Sequence, residues 1–154
     1  VGPVVDHRQR RVPVPLRELR GATARALRST GRDGGYVEVA LVDDAEIRRL
    51  NRAYRGVGRR TDVLAFPLET PEAPGGPVGQ IVISVETARR QARRVGVPLG
   101  LELQLLVTHG VLHLIGYDDR DPVEAGLMHR RERDILSAAH GRVPDTLWKG
   151  LLHA

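Results

Sequence analysis

Residues Thr108-His109-Gly110-Val111-Leu112-His113-Leu114-Ile115-Gly116-Tyr117-Asp118-Asp119 decide how this chain is read. Two histidines stand four residues apart inside an apolar run. On a helix that spacing puts both imidazoles on one face, one turn apart. Gly116 follows three residues after His113, and glycine is the cheapest residue for a left-handed exit from a helix. Such a turn brings Asp118 or Asp119 under the same face. Two imidazoles and a carboxylate are three ligands for a divalent metal with a fourth position open, the arrangement of a catalytic rather than a structural zinc site. The other reading is a pair of core histidines, each satisfied by a backbone carbonyl. Buried imidazoles need partners and one ion satisfies both, which favours the metal. The pattern is not that of a zincin protease. In H-E-x-x-H the residue after the first histidine is the glutamate base, and here it is Gly110.

The length of 154 residues suits one compact domain over 1–154. Hydrophobic content is 41% with only 3% aromatics, so the core is aliphatic. The absence of cysteine excludes disulfides and thiolate ligands and fits a reducing cytoplasm. No apolar run approaches a membrane span, and the first residues do not read as a signal peptide. Net charge is +5, and Lys149 is the only lysine. Arginine's planar donors suit phosphate-rich partners; the alternative is a merely basic surface.

Outward from the histidines, Leu101 to Ile115 is apolar on all sides, which predicts a buried central helix opened by Pro98 and Gly100. Asp121-Pro122-Val123-Glu124 starts another helix, running to about His140 before Gly141. Upstream, Val4–Asp6 is a short first strand, and Pro15 to about Arg28 is a helix closed by Gly31. Tyr36–Val42 alternates as a strand. Asp43 caps a helix that ends near Gly56. Thr61–Phe66 is a strand closed by Pro67, and Glu69–Pro77 an exposed loop. Gly79–Ser84 is a strand, and Ser84 caps a helix that stops at Gly96. The whole predicts an α+β fold, a small sheet packed against helices with the histidine helix at its centre.

Three motifs then stand together: Asn51-Arg52-Ala53-Tyr54-Arg55-Gly56 leading through Arg59-Arg60 to Thr61-Asp62-Val63-Leu64-Ala65-Phe66-Pro67; Gly79-Gln80-Ile81-Val82-Ile83-Ser84; and the histidine helix. In order and spacing they resemble the YbeY family of bacterial metal-dependent endoribonucleases, which act in ribosomal RNA maturation and ribosome quality control. The resemblance spans about residues 36 to 139. It implies a four-stranded mixed sheet with surrounding helices. It also implies a zinc-dependent, single-strand endoribonuclease of the cytoplasm with one Zn2+ per chain, no membrane association, and the small ribosomal subunit's RNA, with ribosome-associated proteins, as partners. The family's first two metal histidines fall on His109 and His113. Its third falls on Asp119, an oxygen ligand that lowers the site's charge by one unit. Asp118 is the alternative ligand, or else a carboxylate that accepts from a ligating imidazole or caps the turn. The family's arginine falls on Arg55. Gln80 stands where the family has Asp, and Ala65 where it has Ser.

The mechanism implied is metal-assisted phosphodiester cleavage, with Arg55 holding the phosphate and offsetting transition-state charge. Either water or the RNA 2′-hydroxyl is the nucleophile. Read without the family, Arg55 is a surface ion pair with Glu46 or Asp62. Arg59 and Arg60, with Arg89 and Arg93 of the stripe Arg89, Arg90, Arg93, Arg94, are either phosphate contacts or a solvated face. His129 is not expected to be a ligand, and Trp148 is read as a packing anchor. The rival function is a non-catalytic ribosome-assembly factor with a structural or lost metal.

Overall fold

The computed structural model describes residues 3–32, 35–56, 61–67 and 77–151. Its elements run β1 Val4–His7, α1 Leu16–Ser29, β2 Tyr36–Val42, α2 Asp44–Arg55, β3 Val63–Pro67, β4 Pro77–Ser84, α3 Val85–Val95, α4 Leu99–Leu114 and α5 Pro122–His140. A 3-10 turn follows at Asp145–Gly150. The strands form one mixed sheet in the order β1-β2-β4-β3. β1 and β4 flank β2 in parallel, and β3 lies antiparallel on β4. The α+β class and the four-stranded mixed sheet agree with expectation.

The sheet's two faces follow the period-two rule of strands. Val37, Val39, Leu41, Ile81 and Ile83 face α1 and α4 in the main core. Ala40, Val42, Leu64 and Val82 face the other way, onto Ile47 and Leu50 of α2. With both faces covered, the inner strands read as apolar runs. Register pairs Val39 with Ile81 and Leu64 with Val82. β3 begins at Val63, two residues later than the sequence suggests, and it includes Pro67. Proline is tolerated there because β3 is an edge strand, where a missing N–H need not cost a ladder bond. Most of the expected loop, residues 69–76, lies outside the described residues; its last member, Pro77, opens β4.

α4 is central because every side of it is used. Leu103, Leu106, Val107 and Val111 enter the main core. Leu105 meets Leu136, Val143 and Leu147. Leu112 meets Met128 and Ile135 of α5. No single described helix is long and apolar enough to cross a membrane.

Gly79 marks where the sheet edge meets the end of α4. A Cβ there would lie 2.6 Å from the Phe66 carbonyl oxygen and 2.7 Å from Leu114 Cδ2. One of those neighbours is backbone and cannot rotate away. Gly79→Ala is therefore expected to cost about 1–3 kcal/mol, the usual range for overpacking. An unchanged denaturant midpoint would show that the edge is looser than this.

Glu102, in the first turn of α4, is fully buried. Its Oε2 lies 3.5 Å from Gln91 Nε2, which also donates to Asp62 at 3.3 Å. Burial first, then the nearby Asp62 charge, pushes the Glu102 carboxyl up to about 8, against the opposing pull of Gln91 and Arg94. The folded chain then holds a proton that the unfolded chain has released near its ordinary value. Stability linked to Glu102 is complete below that ordinary value and is lost as pH rises through about 8. Glu102→Gln removes this dependence. The melting temperature of the variant minus that of the parent should rise steadily between about pH 5 and 8. A difference that stays flat over that range would refute a protonated Glu102.

Candidate metal centre

The helical ladder of α4 holds His109 and His113 one turn apart, with ring centroids 4.5 Å apart and planes at 81°. The helix ends at Leu114. Gly116 N donates to His113 O at 3.1 Å, and Tyr117 N reaches back to Leu112 O at 3.0 Å. This reversal needs a positive φ, and Gly116 supplies it at 110°. It returns the chain so that Asp119 faces both imidazoles. His109 Nε2 lies 3.0 Å from His113 Nε2 and 3.4 Å from Asp119 Oδ2; His113 Nε2 lies 3.7 Å from Asp119 Oδ1. Tetrahedral zinc with bonds of about 2.0–2.1 Å sets its ligand atoms about 3.4 Å apart. The three separations bracket that value.

Hydrogen bonding at the far side of each ring decides what faces inward. His109 Nδ1 lies 2.5 Å from Glu132 Oε2, and His113 Nδ1 lies 3.0 Å from Tyr117 O. A carbonyl or carboxylate oxygen accepts, so each Nδ1–H donates and each Nε2 turns a lone pair inward. Two nitrogen lone pairs and the Asp119 carboxylate thus face one another, one oxygen toward each ring. Acceptors alone cannot satisfy one another; a cation can. The donor set fits a divalent metal, and these residues can hold one. In the metal-free protein a proton takes that part. Burial by itself lowers the His109 pKa, but Asp119 and Glu132 outweigh it and raise the imidazole to about 10. Burial and then the His109 charge push His113 down, with Asp119 opposing.

The ligands open onto a cleft of about 370 Å³ whose described lining includes Val63, Ala65, Tyr117 and Arg120. The cluster is open on this side, which leaves room for a reacting group. Asp118 does not touch an imidazole. It caps the turn by accepting from Arg120 N at 3.0 Å, and it pairs with the Arg120 guanidinium at 2.8 Å. Of the two roles considered for it beside ligation, only the cap is present. Gly110 has a structural reason as well. A Cβ at this position would lie 3.0 Å from the Ile81 side chain on β4, tight enough that Ile81 would have to shift. Gln80 donates to Glu38 on β2 at 3.2 Å; its amide serves the sheet.

The expected phosphate-binding residues are placed less closely. Arg55 is the last residue of α2, ahead of the left-handed Gly56; its side chain, like Arg59 and Arg60 entirely, lies outside the described residues. Glu46, one of the two carboxylates considered for Arg55, is held by Arg8 at 2.6 Å. Asp62, the other, is buried and accepts from Gln91. The stripe on α3 divides. Arg90 pairs with Asp44 at 2.7 Å, and Arg94 reaches Gly150 O at 3.5 Å. Arg89 is half-buried and Arg93 exposed; neither is among the described residues lining the cleft. His129 is stacked on Trp148 with centroids 4.5 Å apart, and Arg133 covers the Trp148 ring at 4.6 Å. Trp148 is an anchor, as expected, but a polar one: its Nε1 donates to Glu132 Oε1 at 2.9 Å. Sequence reasoning missed Glu132. A signal existed: Met128, Glu132, Ile135 and Leu136 form one helical stripe, and all four are buried. A carboxylate on an apolar stripe needs a buried partner.

A mixed sheet over a central helix, with two imidazoles and a carboxylate meeting in an open cleft, defines an α+β protein with a candidate metal site. The chain belongs to the endoribonuclease YbeY family: the sequence model described as Endoribonuclease YbeY matches residues 5–140. A relative named Endoribonuclease YbeY from Anaeromyxobacter sp. (strain Fw109-5) is 42% identical over 134 residues, 87% of this chain and 69% of the relative. One of the same name from Syntrophus aciditrophicus (strain SB) is 33% identical over 142 residues, 89% of each chain. A solution structure from Thermotoga maritima superposes with a TM-score of 0.61 over 96% of this chain and 89% of that one. At 24% identity it speaks for the fold alone.

Proposed function

We propose that the chain, as a single domain over residues 1–154, is a zinc-dependent endoribonuclease. It cleaves single-stranded RNA during ribosomal RNA maturation and ribosome quality control in the cytoplasm. The observation that carries this reading is the convergence of His109 Nε2, His113 Nε2 and an Asp119 oxygen at the wall of an open cleft. A structural metal would be closed by a fourth protein ligand; here the three candidate ligands line the open cleft. About one zinc ion per chain, when bound, supplies Lewis-acid polarisation of a phosphoryl oxygen. His109, His113 and Asp119 hold it. Arg55 binds the phosphate and offsets charge that grows as the bond breaks. Arg59, Arg60, Arg89 and Arg93 bind flanking phosphates. The partners are the RNA of the small ribosomal subunit and ribosome-associated proteins.

The test is cleavage of a small-subunit RNA precursor by purified protein, with and without chelator, followed by return of zinc. Cleavage lost on chelation and regained with zinc supports the reading. Binding to the precursor without cleavage at any zinc level would instead establish a non-catalytic assembly factor. Cyclic phosphate ends would identify attack by the 2′-hydroxyl, and 5′-phosphate ends attack by water. Binding should also weaken steeply with salt, because each phosphate contact releases about one counterion. Removing Arg89 and Arg93 together should lower the slope of log affinity against log salt by roughly 1 to 2. An unchanged slope would take the α3 surface out of the RNA-binding face.

A further inference from the structure

Glu132 lies on α5, far along the chain from α4, yet its side chain is sealed in the interior at 2% exposure. Both of its oxygens are used. Oε2 accepts from His109 Nδ1 at 2.5 Å, and Oε1 accepts from Trp148 Nε1 at 2.9 Å. A buried carboxylate is costly unless each oxygen finds a donor. Here one donor is a proposed metal ligand and the other comes from the 3-10 turn at Asp145–Gly150. That turn lies beyond residue 140, where the family match ends. We infer that Glu132, held in place by Trp148, is the positioning residue of the metal centre: it fixes His109 with its proton on Nδ1 and its Nε2 lone pair on the metal. The inference rests on the reading of His109 as a ligand.

The physical logic is tautomer control. A neutral imidazole carries one proton, and the partner at one nitrogen decides which nitrogen keeps it. Glu132 can only receive, so the proton stays on Nδ1 and Nε2 stays bare. The carboxylate also makes the ring a more basic ligand, as outer partners of metal-bound histidines do. Trp148 matters because it occupies the second oxygen and stops the carboxylate from rotating away. His113 gets the same instruction from the Tyr117 carbonyl, so each imidazole has its own outer partner.

Glu132→Gln exposes this arrangement. An amide has one oxygen where the carboxylate has two, while Trp148 and His109 both present N–H donors. One of them must face the amide NH2. If that is His109, its Nδ1 becomes the acceptor, the proton moves to Nε2, and the metal loses its lone pair. Removing the tryptophan donor frees the amide oxygen to turn back to His109. Zinc affinity is measured by competition with a chromophoric chelator for the parent, Glu132→Gln, Trp148→Phe, the double variant and His109→Ala. The expected result is a loss of about 10- to 100-fold for Glu132→Gln. Trp148→Phe should weaken binding by a smaller factor, about two- to fivefold, and the double variant should regain most of the loss of the single glutamine, a coupling that simple destabilisation would not give.

A Glu132→Gln affinity equal to the parent's, with His109→Ala impaired, would overturn the positioning role alone. His109→Ala binding zinc like the parent would overturn the metal centre itself. A double variant weaker than both single variants would also overturn the tautomer argument. Should Glu132→Gln fail to fold, imidazole nitrogen shifts of the zinc-loaded parent decide the matter: a protonated Nδ1 and metal-bound Nε2 on His109 support the role, and the reverse overturns it.

Discussion

Asp119→Ala is expected to weaken zinc binding by well over about tenfold, because it removes one of three ligands and the site's only anionic one. Asp118→Ala should change the affinity by less than about threefold, since that carboxylate turns out to Arg120 instead of in to the rings. The two residues are neighbours of the same charge, so net charge cannot explain a difference between them. What separates them is direction. Asp119 places oxygens 3.4 Å and 3.7 Å from the two Nε2 atoms. Asp119→His should retain zinc, because an imidazole nitrogen binds at nearly the same distance as a carboxylate oxygen. Chelator competition across the three variants checks the set. If Asp118→Ala loses the metal while Asp119→Ala keeps it, the ligand assignment is reversed. If neither matters, the third ligand lies elsewhere.

What could be read beforehand was what depends on near neighbours along the chain. The i, i+4 spacing of His109 and His113 and the exit at Gly116 are local, and both stand as expected. So do the caps: Asp43 accepts from Glu46 N at 2.8 Å, Ser84 from Thr87 N at 3.4 Å and Asp121 from Val123 N at 3.2 Å. The sheet order requires a β3 that runs against β4 at the edge, which no local pattern encodes; the family resemblance implied only a four-stranded mixed sheet. Glu132, and the hydrogen bond that Trp148 gives it, escaped for the same reason. Their partners are brought together only when α5 and the turn after it fold back onto α4. A 3-10 turn as short as Asp145–Gly150 carries too few residues for its apolar positions to show a period. For Asp118 the sequence leaves three roles open, because adjacent residues in a turn can each face the helix. Only the hydrogen bonds after Gly116 decide which one does.

Arg55→Ala is expected to lower single-turnover RNA cleavage by about 10²- to 10³-fold, the size of effect that follows loss of one donor to developing charge. RNA affinity should fall far less if, as proposed, several arginines share the ground-state phosphate contacts while Arg55 alone meets the reacting group. The backbone sets Arg55 close along the chain to the cleft wall. α2 packs on the outer face of the sheet through Ile47 and Leu50 and ends at Arg55. The chain then turns at the left-handed Gly56, and on its return Val63 and Ala65 of β3 line the cleft beside the histidines. The residue at the end of α2 is therefore tied by a short connection to the strand that forms the cleft wall. Arg55→Lys should recover only part of the rate, since an ammonium keeps the charge but loses the planar fork that grips a phosphate with two bonds. Zinc affinity should be the same in all three proteins, which separates a role at the phosphate from damage to the metal centre. A parent rate in Arg55→Ala at saturating RNA and zinc would remove Arg55 from the reaction. Equal losses of rate and affinity would make it a binding residue only, because uniform binding energy does not accelerate the chemical step.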